Sequence, residues 1–212
     1  MNDTDKKRSN LRIILLTFSV AIILLGLWFS TTNAFKFVKG YMIFKTDQTT
    51  ADDYQSNPAN QVKKSETNDV LYPERPKKGE NIGKLIIPKL GASLPIVHGT
   101  DEKELEKGVG HFSKSVLPGE DDNSILSGHR DTVFRKLGEV GKGDLLVVET
   151  KAGKFTYKVK NVRIVDKDDR TVIVPKPRAT LTVSTCYPFD YIGDSPERYI
   201  LVAHLTSEQL NK

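Results

Sequence analysis

One cysteine stands in a chain of 212 residues, Cys186. It closes the segment Thr180-Leu181-Thr182-Val183-Ser184-Thr185-Cys186, whose alternation predicts a strand. Leu181, Val183 and Thr185 would share one face, and Thr180, Thr182, Ser184 and Cys186 the other. Tyr187-Pro188 then stops regular pairing. A cysteine that merely packs behaves as a small buried hydrophobe. On the polar face at the end of a strand it is poorly placed to pack, which favours a working thiol. Such a thiol reacts as the thiolate, and free cysteine titrates at about 8.5, so it needs a partner that handles its proton.

Four histidines are available for that role. His129 lies in SILSGHRD, directly after a predicted strand and a Gly128 turn, the kind of loop on which site residues are displayed. His111 in GVGHF, His98 beside Gly99, and His204 in the last apolar strand read as structural. A metal site built from these histidines and one cysteine has no close ligand spacing to support it. Arg198 opens the strand Tyr199-Ile200-Leu201-Val202-Ala203. A guanidinium entering an apolar strand needs a reason. A salt bridge to Glu197 or Asp194 is one. Proximity to Cys186, should the two strands pair, is another.

The elements that would carry these residues are short strands. Gly83–Ile87, Leu94–Val97, Asn123–Ser127, Leu145–Thr150, Phe155–Val165, Val172–Val174, Thr180–Cys186 and Tyr199–Leu205 are aliphatic or β-branched runs bounded by turn formers. Within Phe155–Val165 the alternation changes phase, which predicts a bulge near Asn161. Two short helices are expected. One starts at Asp101, which with Glu104 makes a capping box and is closed by Gly108; the other spans about Val133 to Leu137. The folded part therefore reads as all-β with minor helices.

Upstream the chain changes character. Lys6, Lys7, Arg8 and Arg12 precede an apolar run from Ile13 to Phe29, long enough with modest helical extension to span a bilayer. The basic flank predicts a cytoplasmic N-terminus at 1–12, a transmembrane signal anchor at 13–32 and a translocated remainder. Cleavage near Thr32-Asn33-Ala34 is one alternative, and a buried core helix, against which the near-continuous apolar surround argues, is the other. Residues 33–70, polar and nearly free of large aliphatics after Thr46, read as a tether, and 71–212 as the folded domain. The net charge of +5 comes from 32 basic against 27 acidic residues, with no basic stripe interleaved with aromatics in the folded part, so no nucleic-acid partner is expected. An unpaired cysteine outside the cytoplasm is a liability unless it is used.

Together these residues resemble the sortases, cell-wall transpeptidases of mainly Gram-positive bacteria, and most closely their class D branch. The likeness runs from GENIGKLIIPKLGASLPIVHG through the chain's end. The family's TLxTC motif stands here as Thr182-Val183-Ser184-Thr185-Cys186, with valine in place of leucine on the core face. The family histidine falls on His129 in SGHRD and the family arginine on Arg198 in SPERYIL. The resemblance implies an eight-stranded β-barrel and Cys186, His129 and Arg198 as catalytic residues. It implies LPxTG-like sorting-signal proteins as substrates, cleaved after threonine through a thioacyl intermediate, and a peptidoglycan-precursor amine of lipid II type as acceptor. Thr185 and Tyr187 would contact the peptide, with the segments Asp166–Arg178 and Tyr187–Glu197 as groove walls. Localisation would be the cell membrane, single-pass, with the catalytic domain outside.

No cofactor is expected. Calcium activation, found in part of the family, would have Asp166, Asp168 and Asp169 available, though a solvated loop is the simpler reading of these residues. An L,D-transpeptidase expects arginine two residues after the cysteine, where Pro188 stands, and a cysteine phosphatase expects it six after, at Ile192. Papain-like hydrolases place the cysteine early, at a helix start. A tethered adhesin would leave Cys186, His129 and Arg198 apart in space.

Overall fold

The computed structural model describes residues 15–31, 34, 38, 70–190 and 193–211. The chain divides into two units, residues 1–39 and 40–212. In the first, residues 15–31 form a helix, α1, whose apolar side chains are exposed on every turn, Leu15, Phe18, Ile22, Leu25 and Phe29 among them. Among the described residues no helix is long and apolar enough to cross a membrane. The predicted cytoplasmic segment 1–12 and nearly all of the tether 33–70 lie outside the described residues.

The second unit is a closed barrel. Its strands are β1 (Asn81–Ile87), β2 (Ala92–His98), β3 (Val109–His111), β4 (Asn123–Ser127), β5 (Leu145–Thr150), β6 (Gly153–Asp166), β7 (Thr180–Tyr187) and β8 (Glu197–Leu210). They close in the order β1-β2-β3-β4-β7-β8-β6-β5. Closure leaves no sheet edge to template association. Pairing is antiparallel except for β2 with β3 and β4 with β7, which are parallel. Leu85, Leu94, Ile96, Leu126, Leu146, Val148, Phe155, Leu181, Val183 and Leu201 are fully buried in one core. Each such side chain contributes about 1.5–3 kcal/mol of transfer free energy. Tyr157 is buried with them, and its hydroxyl accepts the Gly119 amide at 2.7 Å. Burial pushes that phenol well above its ordinary range.

Eight strands form, but not the eight that alternation predicts. Val172–Val174 is not a strand. The carbonyls of Val172 and Val174 instead accept the side-chain amide of buried Asn123, which also accepts the Thr182 hydroxyl at 2.7 Å. The segment is thus tied to the β4–β7 face that carries Thr180 and Thr182, and both threonines are about 1% exposed. This face is polar but not solvated. The unpredicted strand is β3, hidden in the glycine-rich GVGHF because only three residues pair. Close approach explains its composition: a Cβ on Gly108 would lie 2.5 Å from the Pro95 carbonyl oxygen, and one on Gly110 2.6 Å from that of Gly99.

The ladder of β6 with β8 shifts register between Val159 and Asn161, where the sequence changes phase, and again between Thr156 and Tyr157. Both strands run longer than predicted because polar residues up to Leu210 continue the pairing back to Gly153. The first predicted helix is a single turn, α2 (Glu102–Leu105), and Asp101 makes no side-chain cap bond. Asp101 pairs with Lys78 instead. The second is not an α-helix: turns lead into a 3-10 segment at Leu137–Glu139, and a further 3-10 turn occupies Pro88–Leu90.

Candidate active site

The β7–β8 ladder decides the first relationship. Cys186 and Arg198 are direct cross-strand partners, flanked by Thr185 opposite Tyr199 and Tyr187 opposite Glu197. Directly opposed residues leave the sheet on the same face, with Cβ atoms about 4.5–5.5 Å apart. Arg198 therefore leaves the sheet on the same face as the half-buried Cys186, twelve positions away in sequence but its direct neighbour across the ladder. The Arg198 guanidinium is oriented by backbone, donating to the Ser195 carbonyl at 3.0 Å and the Glu197 carbonyl at 2.9 Å. The salt bridge to Asp194 does not form. Asp194 lies 3.6 Å from Lys167 instead.

His129 comes to the same end of the barrel through β4. Parallel pairing runs to Ser127 opposite Ser184, so His129 stands two residues beyond Ser127 as Cys186 stands two beyond Ser184. The turn between them is tied to β7 twice. Gly128 N–H donates to the Ser184 carbonyl at 3.2 Å, and the Thr185 hydroxyl donates to the Gly128 carbonyl at 2.8 Å. The His129 carbonyl accepts the Phe134 amide at 3.0 Å, and its Nε2 lies 3.6 Å from the carboxylate of exposed Glu102. Three separated sequence segments thus converge on one end of β7, which the adhesin reading does not require.

Thr185 itself is 3% exposed, with its hydroxyl committed to Gly128. The structure places it as a tie between strand and turn rather than as an open peptide contact, because position 185 alternates inward. Tyr187 is half-buried. Its ring stacks on Tyr199 at 6.3 Å and meets Phe189 edge-on at 5.8 Å. Tyr199 in turn donates its hydroxyl to the Val140 carbonyl at 2.8 Å, and burial raises its titration.

The other histidines are structural. His111 is fully buried, and its Nε2 faces the Val116 carbonyl at 2.9 Å while its Nδ1 meets Nδ1 of His98 at 3.0 Å. Burial pushes His111 down to about 4 and lowers His98 as well. His204 is also held low, by burial first and then by Arg178, Lys160 and Lys176. The aspartates of the loop after β6 are engaged locally. Asp166 accepts the Asp168 amide, and Asp169 accepts Arg163 and the Thr171 amide. Among the described residues no group of three or more His, Cys, Asp or Glu is arranged to hold a metal ion.

The sequence context of Arg130 does not mark it, although it follows His129 directly. Its guanidinium donates to the Pro188 carbonyl at 2.8 Å, to the Gly193 carbonyl at 3.0 Å and to the Ser195 hydroxyl. Those acceptors lie 58 to 65 residues away, on the loop joining Cys186 to Arg198. No local pattern announces such a contact.

Residues 85–206, more than half of the chain, match the sortase domain family. The chain belongs to the sortase family. It is 50% identical over 128 residues to sortase D of Bacillus subtilis, covering 60% of this sortase and 65% of that one. A sortase E of Streptomyces coelicolor is 32% identical over 129 residues, covering 52% and 37%. This sortase therefore spans less than two thirds of the length of either curated relative. Among solved structures, the catalytic domain of the Bacillus anthracis SrtD is matched over its whole length and 68% of this chain, at 42% identity and a TM-score of 0.57. A Clostridium perfringens sortase D5, described as a transpeptidase, is matched over 82% of its length and 62% of this one, at 29% identity and a TM-score of 0.57. The barrel with few short helices is thus the sortase fold.

Proposed function

We propose that this sortase is a membrane-anchored cysteine transpeptidase acting on LPxTG-like sorting signals. The carrying observation is the direct pairing of Cys186 with Arg198 across β7 and β8, with the His129 turn bonded to the same strand. In this reading the Cys186 thiolate attacks the carbonyl of the signal's threonine. Arg198 faces the oxygen on which negative charge develops; one preorganised donor of this kind is worth about 3–4 kcal/mol of barrier. The C–N bond breaks as His129 protonates the departing amine, leaving a thioacyl bond on Cys186. His129 then takes a proton from an incoming amine of a lipid II-type peptidoglycan precursor, whose attack releases the thiolate and forms the new amide.

Thr185 positions the His129 turn, and Tyr187, on the same inward face as Thr185, packs with Phe189 and Tyr199 to brace the strand end that carries the thiol. The tied segment after β6 and the loop after Cys186 are the walls available to an extended peptide. Residues 13–32 serve as the anchor, with the N-terminus cytoplasmic and the barrel outside. The basic flank and the unrelieved apolar exposure of α1 support this. The steps as written need no metal or other cofactor.

The test is to incubate the full chain in detergent with a quenched LPxTG-type peptide library and an amine, beside Cys186→Ala. Amine-linked product after threonine, absent in the variant, is the expected result. Equal inertness of the two proteins across the library, with Cys186 resistant to alkylation, would overturn the assignment.

A further inference from the structure

The site's three residues are not equally well held. Cys186 and Arg198 are registered against each other by the ladder of β7 with β8, which is fixed by every pair from Thr180–His204 to Tyr187–Glu197. His129 sits on a turn that has left its strand. Its ties to β7 are one amide bond and one hydroxyl bond, both made by Gly128 rather than by His129. Nothing in those two bonds fixes the distance between His129 and the Arg198 side of the site.

We infer that Arg130 and Ser195 form a positioning device that sets His129 against Arg198. The Arg130 guanidinium spans the loop after Cys186, donating to carbonyls at Pro188 and Gly193 and to the Ser195 hydroxyl. Ser195 is 2% exposed, and its own carbonyl accepts the Arg198 guanidinium at 3.0 Å. One buried serine therefore binds both arginines, one through its side chain and one through its backbone. The chain of contacts runs from His129 through its sequence neighbour Arg130, across Ser195, to Arg198. It ties Pro188, Gly193 and Ser195 to the histidine turn, so a shift of the turn against them would have to break bonds to a planar donor with fixed geometry. Lysine cannot reproduce this, since an ammonium is a compact point donor without the fork that spans separate acceptors. Neither residue touches the reacting atoms; both act through His129 and Arg198. The device rests on the reading of His129 as the proton carrier.

The experiment compares full-length wild type in detergent with Arg130→Met, Arg130→Lys, Ser195→Ala and the double variant Arg130→Met/Ser195→Ala. His129→Ala and Cys186→Ala are the controls. Transpeptidation of an LPxTG-type peptide onto an amine is followed across pH, well below each protein's melting temperature. Arg130→Met is expected to lower kcat by about 100-fold with little change in KM, the scale of loss for a displaced proton carrier. The pH-rate limb assigned to His129 should move, and Arg130→Lys should recover little. Ser195→Ala should lose about tenfold and the double variant should lose less than the product of the two, because both cut one path. Alkylation of Cys186 should stay near wild type, since the ladder holds it independently.

Wild-type kcat and an unmoved pH profile in Arg130→Met overturn the device, as does full rescue by lysine. If Arg130→Met does not fold, Ser195→Ala decides by the same two readouts, since it removes one acceptor and leaves a small buried residue in place. An active His129→Ala would overturn the parent assignment and the device together. An inactive His129→Ala beside a fully active Arg130→Met would sink the device alone.

Discussion

Replacing Thr185 by valine separates two roles for the residue that precedes Cys186. The side chain keeps its shape but loses its hydroxyl, and with it the 2.8 Å bond to the Gly128 carbonyl. The site is 3% exposed, so water does not readily replace the lost donor. The Gly128 carbonyl is left without that partner, at a cost of about 1–3 kcal/mol for an unsatisfied buried polar group. For a domain of this size that is a fall in Tm of roughly 3–9 °C. Because Gly128 also carries His129, kcat should fall together with stability while KM stays near wild type. The assay is a thermal melt of the full chain by circular dichroism, paired with steady-state transpeptidation well below the melting temperature. An unchanged Tm with a raised KM would refute the reasoning, since that is the signature of a hydroxyl spent on substrate.

Other outcomes follow from the same geometry. Gly128→Ala would place a methyl 2.6 Å from Phe134 and 2.7 Å from Val133, both buried, so about 1–3 kcal/mol of overpacking is expected in urea melts. Gly141→Ala, with nothing within 4 Å of the new methyl but at a different site, should stay within about 0.5 kcal/mol. His111 ties stability to acidity. Its proton is bound near pH 6.5 in the unfolded chain but only at about 4 in the folded one, so the unfolded state takes it up first. The stability from neutral His111 is complete above about 6.5, is lost as pH falls toward 4 and is level below that, about 3 kcal/mol in all. His98 shifts in the same sense. His111→Gln should flatten the pH dependence of Tm in this window. Asn123→Ala should free the Val172 and Val174 carbonyls and raise limited-proteolysis cleavage around residues 170–176 by about tenfold, and a cleavage rate equal to wild type would refute that tie.

Much of this protein is legible in its residues because the signals are local. The alternation of Thr180–Cys186 reports which side chains share a face, and a Pro directly after Tyr187 reports where the strand stops. The phase change at Asn161 reports a bulge. Seven of the eight predicted strands sit within longer or equal observed ones for the same reason, since burial on one side of a pleat writes itself into every second residue. The lone cysteine, the histidine after a glycine turn and the arginine opening an apolar strand each announce chemistry by type and place.

What the residues do not write locally is which segments meet. GVGH pairs as β3 because glycines let backbones approach, a cue that also fits any turn. Val172–Val174 has strand composition, yet it satisfies the carbonyls of Val172 and Val174 with Asn123, 49 and 51 positions away, and so covers a face instead of extending the sheet. Thr185 reads as a site residue and is a buried tie. Arg130 reads as one more charge on a loop and is a clamp on Pro188, Gly193 and Ser195. The sequence by itself determined the family, the lone cysteine and the strand that carries it, because these depend on residue type and short-range periodicity. Tertiary structure alone decided that Cys186 faces Arg198, that Gly128 hangs from Thr185 and that Ser195 binds two arginines. Those are long-range hydrogen bonds and strand registers, and their partners become neighbours only when the barrel closes.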